Sequence, residues 1–239
     1  MDLLTQDLEA AVFRNNNMTW LESKQVSLVD PFGSESSFKT TELKLFSPAQ
    51  DRPSGPGDIC GISYLLSFSN PIDGKRIGDD RSFILYRSII DPETTFKNLM
   101  GQGNQELLND PKWNVFSTIA LGSNYLASNI VDFRVDFFVE DDGDTRTDTL
   151  VSSYGTDSDP LKTIYGGDNA TVGPQSSVDD ALKKPLAYAE ITLVIISDEA
   201  LQVIQNDARA QTGYETDESY ISANSEVYTR RVNFLARPL

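Results

Sequence analysis

Apolar and polar positions along the chain change their period several times, and each change predicts an element. Leu4, Leu8, Ala11 and Val12 recur at i, i+4, i+7 and i+8, one stripe of a 3.6-residue period, which predicts an amphipathic helix over the first residues. Asp2, Asp7 and Glu9 favour the positive end of its dipole, and Asn15-Asn16-Asn17 is the expected stop. From Met18 onward the period shortens. Trp20 to Leu28 alternates weakly and is followed by a turn at Asp30-Pro31-Phe32-Gly33. Leu43-Lys44-Leu45-Phe46 reads as a short strand, Gln50 to Asp58 as a Pro- and Gly-containing loop, and Ile59 to Ser69 and Arg81 to Ile90 as strands. Asn70 to Lys75 joins the last two as a hairpin turn. Asp91-Pro92-Glu93 is a helix start with cap, proline and first-turn acid; Phe96, Leu99 and Met100 are its expected buried face and Gly101 its end.

Val131, Phe133, Val135, Phe137 and Val139 alternate without a break, the clearest strand signal in the chain. Asp132, Arg134, Asp136 and Glu140 would then face water, with Phe138 interrupting the polar side. Val115 to Leu121 is apolar and fits no single period. Ser152 to Lys184 is rich in Ser, Gly, Asp and Thr and reads as a surface excursion. Leu186 to Ile196 is a strand, Asp198 to Arg209 a helix with Leu201, Ile204 and Ala208 on one face, Gln211 to Asn224 a polar loop, and Val227 to Leu235 a final strand. The expectation is an α+β fold: an N-terminal amphipathic helix packed on antiparallel β-sheet, with further strands and short helices. Residues 1–17 form the helical part and residues 18–239 one head domain, since no internal repeat or composition shift divides them.

Composition narrows the chemistry. The chain has 239 residues, 39% of them apolar, enough for one sizeable core. With 20 Lys+Arg against 36 Asp+Glu, its net charge of −16 repels phosphate and argues against nucleic acid as a partner. It contains no histidine, which removes Ser-His-Asp and Cys-His catalysis and His-ligated metals. The single cysteine, Cys60, sits in an apolar strand and reads as a buried small hydrophobe. No apolar run reaches the length of a membrane helix, and Met1 to Asp7 lacks the basic start and apolar centre of a signal peptide. The helix starts at residue 1 with no cap, which reads as a cut end.

Four passages carry a resemblance to a family, the minor pseudopilins and prepilin-like proteins of type II secretion and type IV pilus systems, in particular the J-type pseudopilin and the W-type minor pilin. The first is the amphipathic start containing Asp7-Leu8-Glu9-Ala10, similar to the exposed half of a pilin helix after its membrane span. The second joins Leu43-Lys44-Leu45-Phe46-Ser47 to Gly57 through Leu66. The third is Phe83-Ile84-Leu85-Tyr86-Arg87-Ser88. The fourth is Pro185 to Ile195, and Tyr228-Thr229-Arg230-Arg231-Val232 also resembles the family's last strand. The family's basic leader, cleavage glycine and apolar anchor helix are not among these residues, so the resemblance implies an anchor outside them. It implies a non-enzymatic subunit of a secretion pseudopilus or pilus tip, periplasmic or at the cell surface. Its partners would be other minor and major pilin or pseudopilin subunits, and any membrane contact would run through the missing helix. In such assemblies helices pack side by side, so Leu3, Leu4, Leu8, Ala11 and Val12 are the candidate interface. The other use of that stripe, packing on the chain's own sheet, is the commoner fate of amphipathic helices.

The remaining candidates are weaker. Glu140 to Asp148 could supply oxygens for calcium through Asp141, Asp142, Asp144 and Asp148, but the spacing is not that of an EF-hand and Asp142-Gly143 is a common hairpin turn, the favoured reading. No other cofactor is implied. Asn169-Ala170-Thr171 matches a glycosylation acceptor, a short pattern frequent by chance. Arg87, Arg230 and Arg231 lie in strands, where a paired, solvent-facing arginine is the ordinary outcome and contact with an acidic partner groove the alternative. Tyr64, Tyr86, Tyr125, Tyr154, Tyr165 and Tyr214 motivate an alternative function, a β-rich module binding a glycan or peptide. No carboxylate pair stands out as the acid and base of a hydrolase.

Overall fold

The computed structural model describes residues 1–13, 20–28, 39–52, 56–75, 81–100, 119–139, 149–151, 163–166, 170–172, 186–205 and 217–234. The chain is α+β. In order its elements are α1 (Asp2–Glu9), β1 (Leu21–Ser27), β2 (Lys39–Ser47), β3 (Cys60–Ser69), β4 (Ser82–Ile90) and α2 (Pro92–Thr94), the last continued by a wide helical turn over Thr95–Met100. They continue with β5 (Tyr125–Ser128), β6 (Ile130–Val139), β7 (Thr149–Val151), β8 (Thr163–Gly166), β9 (Ala170–Val172), β10 (Leu186–Ile196), α3 (Asp198–Gln205), α4 (Asp217–Ala223) and β11 (Ser225–Asn233). The strands form two antiparallel sheets. The larger runs β5-β4-β3-β2-β1-β8-β9 and the smaller β11-β10-β6-β7.

The sheets meet face to face, and strand periodicity explains which residues meet. In the large sheet Ser23, Leu43, Tyr64 and Arg87 lie opposite one another across β1 to β4, as do Leu21, Leu45, Ile62 and Ile89. These residues turn toward the small sheet, whose Phe133, Val135 and Phe137 are buried, as the alternation predicts. Tyr64 and Phe133 bring their rings to 6.3 Å. Two threonines stitch the layers: Thr40 Oγ1 donates to the Phe133 carbonyl at 3.0 Å, and the Val135 N–H donates to Thr41 Oγ1 at 3.3 Å.

α1 covers one rim of the sandwich. Its helix is eight residues long and stops at Glu9, well short of the expected Asn15. The reason is tertiary. The Ala11 N–H closes a tight turn onto the Leu8 carbonyl, and the Val12 N–H then leaves the helix for the carbonyl of Phe46 at 2.8 Å, at the end of β2. Phe13 packs on Trp20 at 4.2 Å between ring centroids and edge-on against Phe234 at 5.6 Å. A helical continuation would forfeit both contacts.

Other departures from the expected pattern have similar causes. Phe96, expected inside, is exposed, while Leu99 is buried, because the turn over Thr95–Met100 is wider than an α-helix and shifts its buried face. Thr95 fixes this turn: its hydroxyl donates to the Ile90 carbonyl and accepts from the Gly61 N–H. Asp217–Ala223 is the helix α4 rather than loop, buried through Tyr220 and Ile221. The Ser152–Lys184 stretch holds β8 and β9, which extend the large sheet beside β1. Asp132, Arg134 and Asp136 are half-buried, and Phe138 stacks on Tyr188 at 4.3 Å between centroids.

Candidate functional site

The fold brings a buried ionic knot to the rim under α1. Asp7 sits mid-helix between Leu4 and Leu8 on the inward side, and is itself 3% exposed. Arg87, 6% exposed, reaches it from β4, donating from Nε to Oδ2 at 2.7 Å and from Nη2 to Oδ1 at 3.0 Å. Tyr64, directly across from Arg87 on β3, donates its hydroxyl to Asp7 Oδ2 at 2.5 Å and accepts from Arg87 Nε at 3.0 Å. The other edge of the guanidinium donates from Nη1 to both oxygens of Asp51, at 3.0 and 2.8 Å. Arg87 thus holds Asp7 bidentately through two nitrogens, the geometry its planar fork favours, and shares a third between the oxygens of Asp51. Burial disfavours the charge on Arg87, and the hydrogen bonds to Asp7 outweigh it, so the guanidinium is held protonated beyond its ordinary range. Burial, then the charge of Asp7, pushes the Tyr64 phenol well above its usual range.

Beside the knot lies a half-open cleft of about 280 Å³ whose walls include Leu3, Asp51, Arg87, Ile89, Tyr125 and Leu126. Ser123 and Asn124, from the turn before β5, close one side. It is bordered by the Arg87–Asp51 pair, and its walls mix apolar surface with hydroxyls. Such a cleft can receive a side chain of another molecule next to α1. Of the six tyrosines that suggest ligand binding, Tyr64 and Tyr86 are buried, Tyr125 lines the cleft and Tyr165 lies in β8; Tyr154 and Tyr214 fall outside the described residues.

The candidate interface residues divide. Leu4, Leu8 and Ala11 are buried in the chain's own core, so the stripe packs on the sheet; Leu3 and Val12 are half-buried. The outward side of α1 is Asp2, Gln6 and Glu9, with Leu3 at the cleft. Arg230 pairs with Asp2 at 2.5 Å, and Arg231 lies over the Tyr188 ring at 3.4 Å. Burial pushes the Cys60 thiol up, which keeps it protonated and unreactive at neutral pH. Asp141, Asp142, Asp144 and Asp148 lie outside the described residues.

A second charged cluster has no counterpart in the sequence reading. On the opposite face of the large sheet, Glu22 faces Lys44 and Lys24 faces Glu42 across β1 and β2. Lys44 Nζ, on a residue 1% exposed, lies 3.1 Å from Glu42 Oε1 and 3.5 Å from Glu22 Oε1. Lys24 Nζ closes the square at 3.2 Å from Glu42 Oε2 and 3.8 Å from Glu22 Oε1. The signal was present in Glu22-x-Lys24 and Glu42-x-Lys44, whose like spacing becomes charge alternation once the strands run antiparallel. Among the described residues no helix is long and apolar enough to cross a membrane. No family model, curated protein or solved structure matches this chain.

Proposed function

We propose that this chain is the head of a prepilin-like assembly subunit, a minor pseudopilin or minor pilin, working by contact and not by catalysis. The observation that carries the reading is the way α1 is bolted to the sheet. A helix that joins a head to a fibre must transmit position and force, so it cannot swivel on its head. Asp7 ties the middle of α1 to the fourth strand by a buried bidentate pair, and Leu4 and Leu8 add about 1.5–3 kcal/mol of burial each. Neighbouring subunits would meet the outward side of α1 and the cleft beside Leu3. The head would stand on the periplasmic side or at the cell surface, with the anchor supplied upstream of α1.

The test is photocrosslinking in the native cell. A photoreactive residue replaces Gln6 or Glu9 in the full-length gene product, and Ile72, 83% exposed on the β3–β4 hairpin, is the control position. Adducts with other prepilin-like subunits from Gln6 or Glu9, absent from Ile72, support the assignment. A gene encoding no apolar helix ahead of α1, or adducts absent from both helix positions, refutes it.

A further inference from the structure

β11 is an edge strand. Its register pairs it with β10 along its whole length, and no other strand joins it among the described residues. It is open to solvent, with Val227 65% and Tyr228 48% exposed, although natural edges are usually shortened, bulged or covered. Two hydrogen bonds fix which main-chain groups are free. The Phe234 N–H donates to the Ala187 carbonyl at 3.2 Å, and the Ser197 N–H to the Asn224 carbonyl at 3.4 Å. Both pairs continue the β10–β11 register, so even-numbered residues of β11 turn their main-chain groups toward β10. The odd-numbered Ser225, Val227 and Thr229 therefore aim N–H and C=O at the open side.

We propose that a second copy of this chain completes that edge, its β11 running antiparallel to the first about a two-fold axis at Tyr228, so that the two small sheets become one. The parity leaves few choices, because odd residues must hydrogen-bond to odd residues. With the axis at Tyr228, Val227 bonds to Thr229 in both directions. Glu226 then stands opposite Arg230 twice, and Tyr228 opposite its own copy, in the close non-hydrogen-bonded positions where side chains interact most. Moving the axis by one residue sets Glu226 against Val232 in one direction, or Arg230 against Asn224 in the other, and loses both charge pairs. Glu226 now accepts from the Tyr228 hydroxyl and Arg230 pairs with Asp2, both in solvent, where such contacts are worth little and exchange readily. The contact is isologous, with one strand from each copy.

Sedimentation velocity across the micromolar range is the first measurement, with a concentration-dependent dimer expected. Thr229→Pro removes one outward N–H, a change an edge strand tolerates, so the monomer should keep its circular dichroism while association falls at least about tenfold. Arg230→Glu sets like charges opposite and should weaken the dimer; adding Glu226→Arg should restore it. Cysteine scanning reads the register: under mild oxidation Tyr228→Cys should crosslink two copies, and Val227→Cys and Thr229→Cys should not, because only residue 228 faces itself. A chain that stays monomeric with no crosslink at residue 228, a dimer indifferent to Thr229→Pro, or equal crosslinking at all three positions overturns the proposal.

Discussion

Replacing Asp7 with alanine is the sharpest probe of how α1 is held. The substitution deletes the acceptor of three hydrogen bonds, two from Arg87 at 2.7 and 3.0 Å and one from Tyr64 at 2.5 Å. Breaking a buried ion pair by removing one partner costs about 3–5 kcal/mol, chiefly because the surviving charge stays buried. Here Asp51 keeps its hold on Nη1, and Nε retains the Tyr64 hydroxyl at 3.0 Å, so the lower end, about 3 kcal/mol, is expected. For a chain of this size that corresponds to a fall in Tm of about 6–12 °C. Asp7→Asn should cost nearly as much, since its amide must present an N–H to a donor. Urea and thermal unfolding of Asp7→Ala, Arg87→Met and the double variant complete a cycle, with a coupling energy near the top of the roughly 0.5–3 kcal/mol range of contacting pairs. Hydrogen exchange adds a local reading, because the amides of α1 should lose protection in Asp7→Ala more than those of β3. A loss below about 0.5 kcal/mol, or additivity around the cycle, would refute the claim that this pair fastens the helix.

Three further outcomes follow from other parts of the structure. Lys44→Met leaves Glu22 and Glu42 with Lys24 alone between them, and should cost about 3 kcal/mol in urea unfolding at neutral pH. Burial raises the Asp132 carboxyl, and its Oδ1 has no hydrogen-bond partner, so the folded state binds a proton more readily than the unfolded. That contribution is favourable below the unfolded carboxylate range and lost as pH rises; Asp132→Asn should therefore stabilise by about 1 kcal/mol at pH 7 and give no gain in acid, read by thermal melts at both pH values. Gly74 holds φ +68°, and a Cβ there would fall 2.0 Å from the Ala120 carbonyl oxygen; Gly74→Ala should cost at least the roughly 1–2 kcal/mol of left-handed backbone, measured by the same melts.

Elements with one dominant period were legible from the residues alone. β6 alternates because one of its faces closes the core, and the start of α2 was readable because Asp91 accepts from the Thr94 N–H and Pro92 follows it. The end of α1 was not readable, because its apolar stripe runs unbroken through Ala11 and Val12. What stops the helix is the carbonyl of Phe46, which arrives from a strand more than thirty residues away and takes the Val12 N–H. α4 was missed for the opposite reason: Tyr220 and Ile221 are too few to form a visible stripe in so polar a segment, yet both are buried.

The charged interior marks the deeper limit. A single sequence says that Asp7, Arg87, Lys44 and Glu22 carry charge, and ordinary statistics send such residues to the surface. Whether they go inside depends on register, a relation between strands. Had β2 slipped by one residue against β1, Lys44 would face Leu21 or Ser23 and lose Glu22, keeping only Glu42 of its own strand. The observed register therefore adds a cross-strand partner to each charge, Glu22 to Lys44 and Lys24 to Glu42, which an alternative register would remove from a buried site. That penalty makes the two clusters useful in a structure whose sheets could otherwise slide: the Lys44 square fixes β1 against β2, and the Arg87 knot fixes α1 against β3 and β4. If this is their role, replacing the whole Glu22-Lys24-Glu42-Lys44 square with apolar residues should preserve or raise stability while broadening the amide spectrum of β1 and β2, whereas an unchanged, sharp spectrum would show that the hydrophobic pattern alone sets the register.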